Sequence, residues 1–390
     1  MEEARQGAIV SGRSQKFARK GARSLLVAAV ALGMCGMSSA PALAAEDAPV
    51  TIEAGGSKTT AFTDLLTSRL SDEQQEAYAA RAYAPANAWR IAGSDRYATG
   101  VAVSKAGFET GAPVVYVATG AGFADALSAA PAAAHAGGPL LLVQPGGIPQ
   151  VVRDEIVRLQ PSSIVVVGGN GAVSDGVLNE LKKLAPSVRR DSGADRYATS
   201  RVVTERAFGG GADVEVAYIA TGTDFPDALS AGAVAGAYDV PVVLVPGLGT
   251  SVDQPTQALF SDLGVYMTGI AGGEGAVSKG IENHLGSLLG PENVVRFSGA
   301  DRYATSVALN EGVFEWADGG FLATGTGFAD ALSGAALAGY LPLPLWVVPS
   351  TCVFESVFSQ GAQLGVTDYF LLGGPGALGT GVEELYVCGS

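Results

Sequence analysis

The chain has 390 residues, of which 48% are hydrophobic and 16% charged, with 54 glycines. That composition excludes a disordered chain and suits compact α/β domains with buried strands and tight glycine turns, about two to four of them at ~100–200 residues each. Acidic residues number 38 against 24 basic ones, for a net charge of −14, and an acidic surface of that size excludes nucleic acid as a partner.

Residues 1–44 have the layout of a secretory signal peptide. Arg13, Lys16, Arg19, Lys20 and Arg23 precede an apolar stretch from Leu25 to Met37, and Ala42-Leu43-Ala44 supplies a small-residue cleavage pattern. Met34 stands before Cys35 where a lipoprotein needs a small residue. No other apolar run reaches transmembrane length, so the expectation is an exported protein with no stable membrane insertion after cleavage. Residues 1–44 hold six basic and two acidic residues, and their loss takes the charge from −14 to −18. Cys35 leaves with the signal. Cys352 and Cys388 remain, open to one disulfide in an oxidising compartment or to two separate thiols.

Residues 45–89 form a linker in which Ser71–Arg81 reads as a short helix ended by Pro85. The segment is too small for a core of its own. A decapeptide then appears three times: RIAGSDRYAT at 90–99, RDSGADRYAT at 190–199 and RFSGADRYAT at 296–305. The period of 100 and 106 residues between Asp95, Asp195 and Asp301 means three copies of a whole domain, at 90–189, 190–295 and 296–390.

Within each copy the decapeptide runs into a helix, with Ser94 or Asp95 in capping position in the first. A β-rich run follows, then the motif Ala-Thr-Gly-x-x-Phe-x-Asp-Ala-Leu-Ser at 118–128, 220–230 and 323–333. An Ala/Gly-rich helix leads to a short apolar strand: Pro139-Leu140-Leu141-Leu142, Pro241-Val242-Val243-Leu244 and Pro344-Leu345-Trp346-Val347. After another helix, a strand enters a Gly-Gly-x-Gly turn at 168–171, 272–275 and 373–376, and a last helix closes the unit. Continuously apolar strands alternating with helices predict three tandem doubly wound α/β units with parallel sheets. Equal units with almost no linker predict an intramolecular pseudo-trimer.

The motifs admit two chemistries. Asp95, Asp195 and Asp301 suit helix N-caps, and Arg96, Arg196 and Arg302 suit pairing with Asp125, Asp227 and Asp330 respectively, as a structural network that registers the domains. The same arginines suit bidentate anchoring of phosphate or carboxylate on a ligand. The structural reading ranks ahead. The Gly-Gly-x-Gly turn lacks the Lys-Ser/Thr of a P-loop and the spacing of a dinucleotide fingerprint, so it reads as a tight βα turn. Neither His135 nor His284 recurs between copies, Ser128, Ser230 and Ser333 have no accompanying base, and no metal set is evident. The chain reads as a binder without catalytic residues, cofactor or metal; a secreted enzyme or receptor, with the acidic and arginine motifs as its site, is the alternative.

Taken together, the four ordered motifs in three copies resemble the cell wall binding repeat 2 family, over about residues 90–390. The resemblance implies a secreted Gram-positive surface protein and a pseudo-trimer of Toprim-like units. It implies non-covalent attachment to an anionic secondary wall polymer, teichoic-acid-like or polysaccharide. It also implies that the Pro139–Leu142, Pro241–Leu244 and Pro344–Val347 stretches take part in polymer binding.

Overall fold

The computed structural model describes residues 51–55, 86–210, 214–311, 313–314 and 316–389. The signal over residues 1–44 and the helix expected over Ser71–Arg81 lie outside the described residues. Two strands, β1 (Thr51–Gly55) and β2 (Asn87–Ala92), precede the first unit, which continues with α1 (Arg96–Gly107), β3 (Val115–Thr119), α2 (Ala124–Ala136), β4 (Leu140–Val143), α3 (Gln150–Leu159), β5 (Ser163–Val167) and α4 (Asp175–Leu181). The second unit repeats this order as β6 (Ser187–Asp191), α5 (Arg196–Phe208), β7 (Val216–Thr221), α6 (Pro226–Ala237), β8 (Val242–Val245), α7 (Gln254–Leu263), β9 (Met267–Ala271) and α8 (Lys279–Leu289). The third does so as β10 (Val294–Phe297), α9 (Arg302–Glu311), β11 (Gly319–Thr324), α10 (Ala329–Tyr340), β12 (Leu345–Val348), α11 (Glu355–Leu364), β13 (Asp368–Leu372) and α12 (Thr380–Glu383).

The strands build three sheets, ordered β4-β3-β5-β6, β8-β7-β9-β10 and β12-β11-β13-β2-β1. All pairings are parallel except β1 against β2. The strand that opens each decapeptide therefore completes the sheet of the unit before it. In the third sheet that place is filled from the start of the chain: β2 lies beside β13 with Asn87 opposite Asp368 and Ile91 opposite Leu372. The Trp89 indole N–H donates to Asp368 Oδ1 at 2.7 Å and helps fix that register. The three units thus close into a ring through backbone hydrogen bonds between the two ends of the repeat region.

The Ala/Gly-rich helices α2, α6 and α10 pack against one another on the pseudo-threefold axis. Their composition is what permits this, because only small side chains let three helices meet at one line without leaving voids. Ala134, Gly236 and Gly339 occupy equivalent places there, and a Cβ built on Gly236 would lie 2.8 Å from Ala134 Cβ and 3.0 Å from Gly339 Cα. The edge strands β4, β8 and β12 are covered by the decapeptide helix of their own unit, α1, α5 and α9 respectively, and flanked by the central helix of the preceding unit in the ring, α10, α2 and α6. An otherwise open strand edge is thereby removed from solvent. Its backbone groups find side-chain partners: Ser200 Oγ accepts from Leu244 N at 2.9 Å, and Ser306 Oγ from Val347 N at 3.1 Å.

With β2 in the slot of the third sheet, the chain after α12 takes another course. Val387 forms a parallel bridge with Val353, and Cys388 is joined to Cys352 by a disulfide across 36 residues. A loop of that length is worth about 3–4 kcal/mol in the chain-entropy account. Among the described residues no helix is long and apolar enough to cross a membrane.

Candidate functional site

The three repeated motifs meet at the seams between units. Asp95, Asp195 and Asp301 cap α1, α5 and α9: Asp95 Oδ1 accepts from the Tyr97 and Ala98 amides at 2.9 and 2.8 Å, Asp195 Oδ1 from Ala198 N at 2.8 Å, and Asp301 Oδ1 from Tyr303 N and Ala304 N at 2.9 and 2.8 Å. Just before them, the first arginine of each decapeptide donates to the Gly-Gly-x-Gly turn that follows the neighbouring strand of the same sheet. Arg90 reaches the Gly373 carbonyl at 2.7 Å, and Arg190 and Arg296 reach those of Gly168 and Gly272 at 2.6 Å. Each is backed by a carboxylate, Glu383, Asp175 and Glu282 respectively.

Gly168, Gly272 and Gly373 sit at φ of +106°, +106° and +107°. A Cβ there would come within 2.4, 2.4 and 2.6 Å of Oδ2 of Asp125, Asp227 and Asp330. Glycine is required on both grounds, backbone conformation and close approach. Each turn forms a cradle for an aspartate in the first turn of a central helix.

Between the first and second units these parts enclose a cleft of about 380 Å³, lined by the 119–125 turn, the 169–172 turn and the 193–199 segment. Arg196 lies in it. Its Nη1 donates to the Gly222 carbonyl at 2.6 Å, and its guanidinium stacks 5.8 Å from the ring centre of Phe123 in the preceding unit. Arg96 repeats the arrangement with the Gly120 carbonyl at 2.6 Å and Phe328 at 5.7 Å, and Arg302 with the Gly325 carbonyl at 2.7 Å and Phe225 at 6.0 Å. Phe123, Phe225 and Phe328 form a triangle on the axis, with ring centres 5.7–5.9 Å apart. Three arginines, three phenylalanines and the positive N-terminal ends of three central helices are thus gathered at one end of the ring.

The expected ion pairs of Arg96, Arg196 and Arg302 with Asp125, Asp227 and Asp330 do not form within 4 Å, and the aspartate that each arginine influences belongs to the preceding unit. Arg196 faces Asp125, Arg302 faces Asp227 and Arg96 faces Asp330, instead of the same-unit partners Asp227, Asp330 and Asp125. The reason is topological: each decapeptide strand belongs to the sheet of the preceding unit, so its helix starts at that unit's edge. Burial raises all three aspartates above the ordinary carboxylate range, opposed in each case by the facing arginine. Asp227 is pushed up to about 6, by burial first and then by the neighbouring Asp224 carboxylate. A carboxyl whose folded pKa is raised favours the native state at low pH and loses that contribution as pH climbs from about 4 through about 6. An Asp227→Asn variant should therefore gain roughly 1–2 kcal/mol at pH 7 and lose part of the wild-type decline in stability across that window, read by thermal melts at pH 4 to 7.

The apolar stretches stand elsewhere. Pro139, Pro241 and Pro344 are buried, and Leu140, Leu141, Leu142, Val242, Val243, Leu244, Leu345, Trp346 and Val347 are at most 1% exposed. They are seam-forming core, with no side-chain surface turned to solvent. The phenylalanine triangle was not singled out from sequence, although the Phe of the Ala-Thr-Gly-x-x-Phe-x-Asp motif recurs in all three copies and was the available signal. His135 stacks on Phe208 and lies 3.5 Å from Asp239. No group of three or more metal-ligating side chains occurs among the described residues.

The sequence pattern of the cell wall binding domain 2 (CWB2) family matches residues 90–178, 190–282 and 296–383. The chain belongs to this family. It is 30% identical over 249 residues to the N-acetylmuramoyl-L-alanine amidase LytC of Bacillus subtilis, a match covering 64% of this chain and 48% of the amidase. It is 29% identical over 250 residues to the amidase enhancer of the same organism, covering 64% of this chain and 33% of that protein. The CWB2 chain thus spans about half the amidase and a third of the enhancer. Among solved structures, Cwp6 from Clostridium difficile superposes with a TM-score of 0.70 at 24% identity, covering 86% of this chain and 51% of that one, a likeness of fold. Cwp8 from the same organism gives 0.68 at 26% identity, covering 76% and 50%. The protein carries three copies of a cell wall binding domain closed into one ring.

Proposed function

We propose that this CWB2 protein attaches non-covalently to an anionic secondary polymer of the Gram-positive wall, without catalysing a reaction, and that the polymer enters the seam clefts. The observation that carries this reading is the state of Arg96 and Arg196. Both side chains are exposed, both are held in place by a glycine carbonyl and a phenylalanine face, and neither has a carboxylate within 4 Å among the described residues. A positioned guanidinium with unused donors in a cleft is suited to phosphate or carboxylate groups.

The acidity of the whole chain does not oppose this. Charges beyond about 8–10 Å are screened at physiological ionic strength, so the local arginines and helix N-termini decide. The kinship with LytC, and the cell wall role in the family's description, support the wall as the target. Export by a signal peptide over residues 1–44 accords with a surface location.

Sedimentation with purified Gram-positive walls tests the proposal. Retention should be strong on intact walls, absent on walls stripped of secondary polymer by acid, and weaker as sodium chloride rises from 0.1 to 0.5 M. Equal retention on stripped walls would shift the target to peptidoglycan.

A further inference from the structure

The three seams are alike in backbone but not in charge. In the Ala-Thr-Gly-x-x-Phe-x-Asp motif, the residue before the phenylalanine is Gly122 in the first copy and Gly327 in the third, but Asp224 in the second. Asp224 Oδ2 lies 3.5 Å from Arg302 Nη2, an ion pair with no counterpart at Arg96 or Arg196 among the described residues. The third residue of the Gly-Gly-x-Gly turn varies in the same sense: Asn170 and Pro375 in two copies, Glu274 in the second. The seam between the second and third units thus carries one carboxylate against its arginine, Asp224, and the adjoining turn carries a second, the exposed Glu274. One consequence is already visible, since the Asp224 carboxylate contributes to holding up the proton affinity of Asp227.

The charge of the chain is divided along the same line. By unit, residues 90–189 hold 8 basic and 7 acidic residues, 190–295 hold 5 and 13, and 296–390 hold 2 and 9. The seams of Arg196 and Arg96 therefore each adjoin the near-neutral first unit, whereas the seam of Arg302 lies between the two acidic units. An anion approaching Arg302 would have to displace the Asp224 carboxylate from it and pass the turn that carries Glu274, and like charges at a binding surface oppose its binding.

On the reading that the seams bind an anionic polymer, we infer that only two of the three seams do so, those of Arg196 and Arg96, and that Asp224 and Glu274 discharge the third. The polymer is then held by two adjacent contacts on one side of the ring, and its affinity is bivalent, not trivalent. Asp224 acts as an internal competitor for the ligand anion.

Single variants on intact and polymer-stripped Gram-positive walls test this. Arg96→Ala and Arg196→Ala should each weaken retention on intact walls about 10-fold, the usual loss for a charge-assisted anchor. Arg302→Ala should weaken it by less than about 2-fold. Asp224→Asn keeps an oxygen for the Phe225 amide, which Asp224 Oδ1 accepts at 2.9 Å, while removing the charge, so its fold is retained. Combined with Glu274→Asn it should tighten retention about 3-fold or more, and Arg302→Ala made in that background should then cost as much as Arg196→Ala. An Arg302→Ala loss equal to that of Arg196→Ala in the wild-type chain would overturn the inference while leaving wall binding intact, as would unchanged or weaker retention of Asp224→Asn/Glu274→Asn. Failure of the unaltered protein to be retained on intact walls would remove the polymer reading itself, and this inference with it.

Discussion

Leucine in place of Gly236 will destabilise the ring by about 3 kcal/mol or more. The site is on the axis, where even a Cβ would stand 2.8 Å from Ala134 Cβ and 3.0 Å from Gly339 Cα. Neither neighbour can yield cheaply: one is a helix-borne methyl on a fully packed face and the other is backbone. Overpacking of a tight core typically costs 1–3 kcal/mol through displaced backbone, and a leucine adds three more heavy atoms at a point shared by three helices. The predicted sign in a thermal melt is a fall of several degrees with loss of a single cooperative transition, as the units lose their common core. Gly146→Ala, at a loop position where an added Cβ meets nothing within 4 Å, should stay within about 0.5 kcal/mol of the parent. A Gly236→Leu protein melting like the parent would mean that the axis is not packed as described.

The second large effect concerns binding. Replacing Arg96 and Arg196 together by alanine should reduce retention on intact walls about 50–100-fold while leaving the fold in place. Each guanidinium makes one hydrogen bond to a glycine carbonyl and one stacking contact within the protein, so its removal costs the fold no more than about 1–2 kcal/mol. Against an anionic ligand the same group supplies a charge-assisted contact worth about 1.5–3 kcal/mol, and two such losses multiply when the contacts act on one chain. Sedimentation gives the binding and circular dichroism the fold. Unchanged retention by the folded double variant would make these arginines purely seam residues.

Much of this architecture was legible in the sequence because the motif residues have local jobs. Asp95 caps a helix whatever lies beyond it, the first glycine of each Gly-Gly-x-Gly turn needs its positive φ, and a run such as Leu140-Leu141-Leu142 buries itself between layers. What was not legible is the identity of partners across the ring. Arg96, Arg196 and Arg302 are chemically identical, as are Asp125, Asp227 and Asp330, so spacing alone does not tell a same-unit pair from a cross-seam pair. The answer depends on the strand that opens each decapeptide, and that strand hides its nature: Ser187-Val-Arg-Arg alternates exposed and half-buried residues at a sheet edge before the buried Asp191, without the apolar run of β4 or β5. Its membership in the preceding sheet moves every arginine one unit along. The phenylalanine triangle escaped for a related reason, since a phenylalanine beside a buried helix reads as ordinary core until three copies are seen to meet on one axis.

The central claim is that wall polymer occupies the seam clefts, and amide hydrogen exchange on the protein mixed with anionic polymer released from walls by mild acid tests it most directly. Slowed exchange is expected in the 119–125, 169–172 and 193–199 segments and in the corresponding 93–99 and 324–330 segments, with no change in the outer helices α3, α7 and α11. Slowed exchange confined to those outer helices, or none anywhere at polymer concentrations that block sedimentation with walls, would contradict it.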